Sequence, residues 1–377
     1  MLKKAIHYIS HWENWHWFAK YVVICPAWFW FCLKARSFWF FTPSNPTITF
    51  GGFIGEPKKE IYEQLPLSSY PKTIYIIPGI SFAEVQSTVV VNNFSFPLAV
   101  KPDVGMMGLM FRKVETIDQL SQYHRAMPVN YIIQEFVTYP IEVSVFYYRY
   151  PNETRGHITG FLKKEYLEVV GDGENNLKEL ILKCSRAQFR LKEMFSKHQS
   201  KLNMILPAGE RFPLCLALNL SRGGRLISLE HEKDEELLKV FDELSHHSKH
   251  FYYGRYDIKC ASIADLKCGR NFSILEYNGC GAEPHHVYNN GKSFFEACSI
   301  LVEHWKILST ISAINERQGI RPWKYIDGLR FTRKSKKHFK KLKELDATFE
   351  FTTEGRQAIM TGLSDSSRTN YRLAANE

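Results

Sequence analysis

The sequence predicts an α+β fold, grading into α/β and rich in antiparallel sheet, behind an aromatic-rich helical N-terminal segment. Three observations carry that expectation. From residue 73 onward, short runs rich in β-branched and aromatic residues recur with an alternating pattern. Between them lie longer stretches with apolar residues at spacings of three and four, the period of a half-buried helix. The chain has 377 residues, 45% of them apolar, which is enough to bury one or two substantial cores.

Along the chain, residues 1–70 come first as an aromatic-rich helical segment, with the turns Thr42-Pro-Ser-Asn-Pro46 and Gly51-Gly52. Its apolar run 21–33 contains Pro26 and is flanked by Lys20, Lys34 and Arg36. A spanning helix needs about 20 apolar residues, so this run is too short. His7, His11, Glu13 and His16 interrupt any signal-peptide pattern. The segment reads as a buried helical pair or a partner surface, with contact to a membrane surface as the alternative.

Strands are expected at 73–77, 98–101, 109–114, 131–136, 141–148, 157–162, 214–219, 225–229, 255–259 and 272–277. Helices are expected at 116–124, 177–184, 187–198, 234–247 and 294–314. These elements place an α+β domain at 71–320, followed at 321–377 by a basic helix (333–343) and a polar tail from Thr352.

The formal charge of +10 favours an acidic partner: a nucleotide, an anionic polymer or a membrane surface. Nucleic acid has charge in its favour but no recognisable module. The eight cysteines form no C-x-x-C pair, which suits reduced thiols and a cytoplasmic location, peripheral membrane attachment remaining open. No Walker A string and no protein-kinase H-R-D or D-F-G string occurs. Oligomeric state is not legible.

Three strings suggest chemistry. Phe96-Pro-Leu-Ala-Val-Lys101-Pro-Asp-Val-Gly105-Met-Met-Gly108 puts a lysine at a strand end before a loop with two glycines. Such a loop can turn backbone N–H groups toward phosphate oxygens; an ordinary strand and turn is the competing reading. Tyr131-Ile-Ile-Gln134-Glu135-Phe136-Val137, followed by Glu142, offers an apolar wall and a carboxylate, as an adenine and ribose site would. Tyr253-Gly-Arg255-Tyr-Asp257 and Ile274-Leu-Glu276-Tyr-Asn278-Gly-Cys-Gly-Ala-Glu283 place three oxygen donors on two neighbouring strands, with Arg255 on the face of Asp257 and Glu276 on that of Asn278. Hard oxygen donors of this kind suit Mg²⁺ shared with phosphates; a solvated strand pair with a salt bridge is the alternative. Cys280 reads as a packing residue, and His246, His247 and His250 as a solvated turn.

In this order, K-P-D-x-G-x-x-G, Q-E-F-V with a later Glu, G-R-x-D and L-E-x-N-G resemble the ATP-grasp superfamily, with D-alanine-D-alanine ligase as a well-known relative. Val170-Gly-Asp-Gly-Glu-Asn-Asn-Leu-Lys-Glu-Leu-Ile181 and Leu218-Asn-Leu-Ser-Arg-Gly-Gly224 are similar to segments of the cyanophycin-synthetase and glutathione-forming branch, and the aromatic start looks like that of orphan bacterial members. The resemblance spans roughly residues 70–290 and implies two α+β subdomains clasping ATP. By it, Lys101 contacts phosphates, Gly105 to Gly108 form the phosphate lid, Gln134, Glu135, Phe136 and Val137 line the adenine pocket, and Glu142 holds the ribose. Arg255 would bind phosphates and the acyl phosphate, with Arg222 beside the acyl group or phosphate, and Asp257, Glu276 and Asn278 would hold Mg²⁺, or Mn²⁺ in its place. Glu283, His285 or His286 would meet the amine.

The activity so implied is ATP-dependent carboxylate–amine ligation through an acyl phosphate, with amino-acid or peptide-like substrates. The alternatives are an ATP-grasp phosphotransferase, or a membrane-surface or polymer-binding protein with a regulatory nucleotide site. Residues 1–70 hold no evident Rossmann-like domain, so the substrates are not assigned, and the first ATP lysine is Lys72 or, less well, Lys58.

Overall fold

The structure, a computed structural model, describes residues 12, 15, 17–214, 224–288 and 291–352. Arg222, most of the expected strand 214–219 and the tail from 353 onward lie outside the described residues. The chain is α+β and divides into two units: a smaller one of Thr73–Phe136 with residues from His338 onward, and a larger one of the residues up to Lys72 and Val137–Lys337.

In the smaller unit, β1 (Thr73–Ile76), β2 (Leu98–Pro102), β3 (Arg112–Val114) and β4 (Tyr131–Glu135) form an antiparallel sheet in the order β1-β4-β2-β3. Helices Phe82–Val91 and Ile117–Ala126 accompany it, each started by a side-chain cap: Ser81 in a capping box with Glu84, and Thr116 accepting from the Gln119 N–H. Leu98, Val100, Val114, Leu120, Tyr123, Tyr131 and Ile133 are fully buried. The strand expected at 109–114 begins only at Arg112, because Met107, Gly108 and Met110 adopt positive φ and turn the chain first. Asp346, from the C-terminal helix, accepts from the Met110 N–H at 2.9 Å and pairs with Arg112 at 2.8 Å. Thus the basic end of the chain holds the turn after the glycine loop.

In the larger unit, β5 (Ile141–Tyr148), β6 (His157–Glu165), β9 (Arg225–Ser228), β10 (Tyr253–Cys260) and β11 (Phe272–Asn278) form an antiparallel sheet ordered β11-β10-β5-β6-β9. A separate pair, β7 (Glu168–Val170) and β8 (Arg211–Pro213), covers a small core of Leu167, Leu177, Ile181, Met194 and Leu214. The Val170-Gly-Asp-Gly string makes a turn in which Asp172 accepts from the Glu174 and Asn175 N–H groups, and Asn176 then caps helix Leu177–Lys183. The helix expected at 187–198 is divided into a 3₁₀ turn, Ser185–Arg190, and a helix, Leu191–Lys197. The basic helix is longer than expected, Tyr325–Thr348. Gly328 weakens its signal in the sequence, yet a Cβ there would lie 2.3 Å from the Trp39 indole nitrogen, so close packing requires the glycine.

The aromatic N-terminal segment is built into this unit. Helix Cys25–Lys34 sends Trp28 and Phe31 inward against Phe40, Phe41 and Trp305. Asn45, 0% exposed, is the bracket that follows. Its Nδ2 donates to the Tyr253 and Gly51 carbonyls at 2.8 and 3.1 Å, and its Oδ1 accepts from the Tyr252 and Tyr253 N–H groups at 3.0 and 3.1 Å. The next residues lie on the loop after β11: Cys280 N–H donates to the Gly51 carbonyl and Gly281 N–H to that of Gly52, each at 3.0 Å. A Cβ on Gly279 would meet the Gly51 oxygen at 2.6 Å, which accounts for the Gly-Cys-Gly string.

Replacing Asn45 with Ala removes a hydrogen bond from four buried backbone groups at once. Urea denaturation should show a loss of about 2–4 kcal/mol, and a loss below about 0.5 kcal/mol would contradict the bracket.

Candidate functional site

The five-stranded sheet has two unlike faces because its residues alternate. One face presents Val143, Val145, Tyr147, Phe161, Tyr256, Ile258 and Tyr277, all buried, with Phe241 of helix Glu235–Ser248 packed on Tyr256 at 5.2 Å between ring centres. The other carries charge. Register pairs Asp257 with Glu276 and Arg255 with Asn278 across β10 and β11, Lys259 with Glu142 across β10 and β5, and Glu142 with Lys164 across β5 and β6. Arg255, Asp257, Glu276, Asn278 and Glu142 are therefore brought onto one face.

Asp257 is its centre. Lys164 Nζ lies 2.9 Å from its Oδ1, Arg255 bonds both of its oxygens at 3.3 Å, and Asn278 Nδ2 donates to Oδ2 at 3.3 Å. Burial opposes the charged form of Asp257, but Arg255 and Lys164 together outweigh it and hold the carboxyl well below the usual carboxylate range. Lys164 also reaches Glu142 Oε1 at 3.3 Å, and the Tyr166 hydroxyl donates to Glu142 Oε2. Against a burial cost that disfavours its charge, Asp257 and Glu142 keep Lys164 protonated. Lys164 and Tyr166 escaped the sequence reading, since a lysine inside an alternating strand looks like a solvated residue. The signal was the in-register pairing with Glu142, which becomes visible only once the hairpin is aligned.

Arg255 is fixed from its far side as well. Its NH1 donates to the Glu283 carbonyl and to His285 Nε2, each at 3.1 Å. Burial, and then the adjoining guanidinium, push His285 well below its ordinary range and keep it neutral. His286 is pushed down to about 4 chiefly by burial. The Glu283 carboxylate accepts from the Tyr21 hydroxyl at 2.6 Å and from Tyr288.

Glu276 stands at the open side, with its side chain 39% exposed and Lys58 Nζ 3.9 Å away. Between Asp257 and Ile258 the register slips, so that Leu275 is the extra residue of a bulge, and its carbonyl accepts from the buried Tyr62 hydroxyl at 2.6 Å. Glu56, Lys58, Ile61, Tyr62, Glu276 and Tyr277 line a small pocket here. Glu56 Oε2 is enclosed without a hydrogen-bond partner, and burial raises the Glu56 carboxyl to about 7 against the lowering effect of its own backbone and Lys58.

The remaining expected residues among those described lie in the smaller unit, apart from Lys72 and Val137. Lys101 is the penultimate residue of β2, in register with Ile132, and Gly105 and Gly108 (φ +71°) lie in the loop that follows. His338 Nε2 lies 2.7 Å from the Val104 carbonyl in that loop. Gln134 is buried and its amide donates to Thr73 Oγ1 at 2.7 Å, tying β4 to β1. Glu135 is exposed at the strand end, and Phe136 lies under Lys113 Nζ at 5.3 Å. Lys259 Nζ donates to the Val137 carbonyl at 3.2 Å.

Among the described residues, no group of three or more His, Cys, Asp and Glu side chains is placed to hold an ion. The expected metal set counts two carboxylates, its third donor being the Asn278 carboxamide. Asp257 and Glu276 are register partners across the strands and Asn278 Nδ2 donates to Asp257, so the three side chains adjoin; their oxygens are of the chemical kind Mg²⁺ takes, with Asp257 here paired to Lys164 and Arg255.

No protein-family model matches the sequence, and no curated protein matches it. Solved structures overlap it loosely. A bifunctional glutathione synthetase from Pasteurella multocida is 14% identical with a TM-score of 0.36, over 66% of this chain and 35% of that one. A D-alanine–D-alanine ligase from Bacillus anthracis is 11% identical with a TM-score of 0.38, over 70% and 68%. The VanG D-Ala:D-Ser ligase from Enterococcus faecalis is 13% identical with a TM-score of 0.39, over 68% and 62%. This chain thus spans about a third of the first and roughly two thirds of the others. At TM-scores this low the overlaps assign no residue and no activity.

Two measurements probe the site. Lys164→Met removes the cation shared by two buried carboxylates, Asp257 and Glu142, and should cost about 3–5 kcal/mol at neutral pH by urea denaturation. Glu56, raised to about 7, binds its proton more tightly folded than unfolded. Stability should therefore fall as pH rises from the ordinary carboxylate range through 7, and Glu56→Gln should recover on the order of 2 kcal/mol above that window. Parallel stability–pH curves for wild type and Glu56→Gln would refute the assignment.

Proposed function

We propose that the chain is an ATP- and Mg²⁺-dependent carboxylate–amine ligase of the ATP-grasp type, acting through an acyl phosphate and releasing ADP and phosphate. One observation supports this above the rest. The face of β10 and β11 gathers Asp257, Glu276 and Asn278 beside the fixed cations Arg255 and Lys164, on the strings whose order resembles that superfamily.

In this reading Asp257, Glu276 and Asn278 hold the ion, which when bound supplies charge neutralisation for the phosphates; Mn²⁺ would be accepted by the same donors. Arg255 already has its guanidinium set by Asp257, Glu283 and His285, so it presents charge to a transferring phosphoryl group without reordering itself. Lys101 and the N–H groups of the Gly105 to Gly108 loop bind phosphate oxygens. With the Gln134 amide engaged by Thr73, the base is met by backbone at Glu135 and Val137 and by the Phe136 ring. Glu142 takes the ribose hydroxyls, and Arg222 serves the acyl group or phosphate. A substrate carboxylate attacks the γ-phosphate and an amine then displaces phosphate; no dedicated base is required, because positioning and charge do most of the work.

Calorimetry should show Mg²⁺-dependent ATP binding by wild type, weakened at least about tenfold in Glu276→Ala. A mass-resolved screen of amino acids and short peptides should then yield ADP with a condensed product. ADP with a phosphorylated product and no condensation would make the protein a phosphotransferase, and equal ATP binding by both proteins would remove the metal assignment.

A further inference from the structure

Helix Cys25–Lys34, of sequence CPAWFWFCLK, has one charged residue in ten, its terminal Lys34. Its inner side is occupied by Trp28, Phe31 and Cys32 in the aromatic core. The outer side is apolar too: Phe29 is 52% exposed, Trp30 64% and Leu33 73%, continuing from Val22 and Val23 on the preceding turn. A surface helix in water ordinarily turns polar residues outward, and one that is apolar all round is buried in protein or lipid. Phe38, also exposed, lies with its ring 6.0 Å from that of exposed Tyr325, which leads to exposed Ile326. The apolar patch thus spans two elements of the larger unit.

Its surroundings are cationic. Lys34 and Lys324 are exposed. Gly328 and Ser335 set the inward side of helix Tyr325–Thr348, so Ile326, Arg330, Arg333, Lys334 and Lys337 share its outward side by helical spacing. Asp327, paired with Arg330 at 3.8 Å, offsets one of these charges. The chain as a whole carries +10.

We propose that this surface docks on an anionic lipid bilayer, with Trp30, Phe29 and Leu33 in the headgroup and upper acyl region and the flanking lysines and arginines on lipid phosphates. Charge complementarity selects the occupant. A nucleic acid or acidic polymer would satisfy the cations but leave the Trp30 and Leu33 side chains in water, whereas an anionic bilayer satisfies both. The ten-residue helix is about 15 Å long, half a bilayer core, and so lies in the membrane plane. No helix among the described residues is long and apolar enough to cross a membrane. The inference does not rest on the ligase reading.

Flotation of the full chain with phosphatidylcholine vesicles, with and without phosphatidylglycerol, tests it. Wild type should float with the anionic vesicles and lose binding in high salt. Trp30→Ser with Leu33→Ser, both exposed and leaving the circular dichroism spectrum unchanged, should bind at least about tenfold more weakly, and Arg330→Glu with Arg333→Glu should lose its preference for anionic lipid. Absence of wild-type binding to either vesicle, or undiminished binding by the serine variant, overturns the proposal. So does a wild-type dimer, by light scattering, that the serine variant converts to monomer, since the patch would then belong to a second copy.

Discussion

A carboxylate buried in the middle of a β-sheet determines much of what surrounds it. Taken alone, the desolvation of Asp257 would be prohibitive, so the fold must bring cations to it. Lys164 comes from two strands away and Arg255 from two residues before it on its own strand. Each of these buried cations must in turn be matched: Lys164 by Glu142, and Arg255 by the Glu283 carbonyl and His285. The Glu283 loop can reach Arg255 only because its glycines lie flat on Gly51 and Gly52. The charge at the centre of the sheet is thus connected, contact by contact, to the aromatic segment at the start of the chain.

Much of this was legible in the sequence. Alternation alone placed Arg255 with Asp257 and Glu276 with Asn278, because the period of a strand is fixed by its pleat. Helices with strong caps, such as the one begun by Ser81 and Glu84, were also open to local reading, although that one was missed for lack of a clear apolar period. What could not be read were long-range partners. Nothing near Lys164 indicates that it faces Asp257, and nothing near Gln134 indicates that its amide will be taken by Thr73. Both follow from the register of strands far apart in sequence. The Leu275 bulge is equally silent, since it arises from how β10 and β11 meet and not from any residue that favours it.

The aromatic start of the chain carries two roles that its composition could not separate. Its inner rings and Asn45 belong to the core of the larger unit, while its outer rings are exposed. A single ten-residue helix does both because nearly every position in it is apolar. Exposed hydrophobic surface of this kind is costly in water, and contiguous patches of it commonly mark interaction sites.

The Asn45 bracket also sets an order of events during synthesis. Its Tyr253 partner lies 208 residues downstream, and Gly279 is still further along. Until those residues emerge, Phe40, Phe41 and Phe50 have no finished core to enter. Residues 40–50 are therefore made well before the segments that complete their core, a contact order that delays their burial. For the whole of that interval a dense aromatic stretch stays open to water, the kind of transiently exposed surface that favours aggregation.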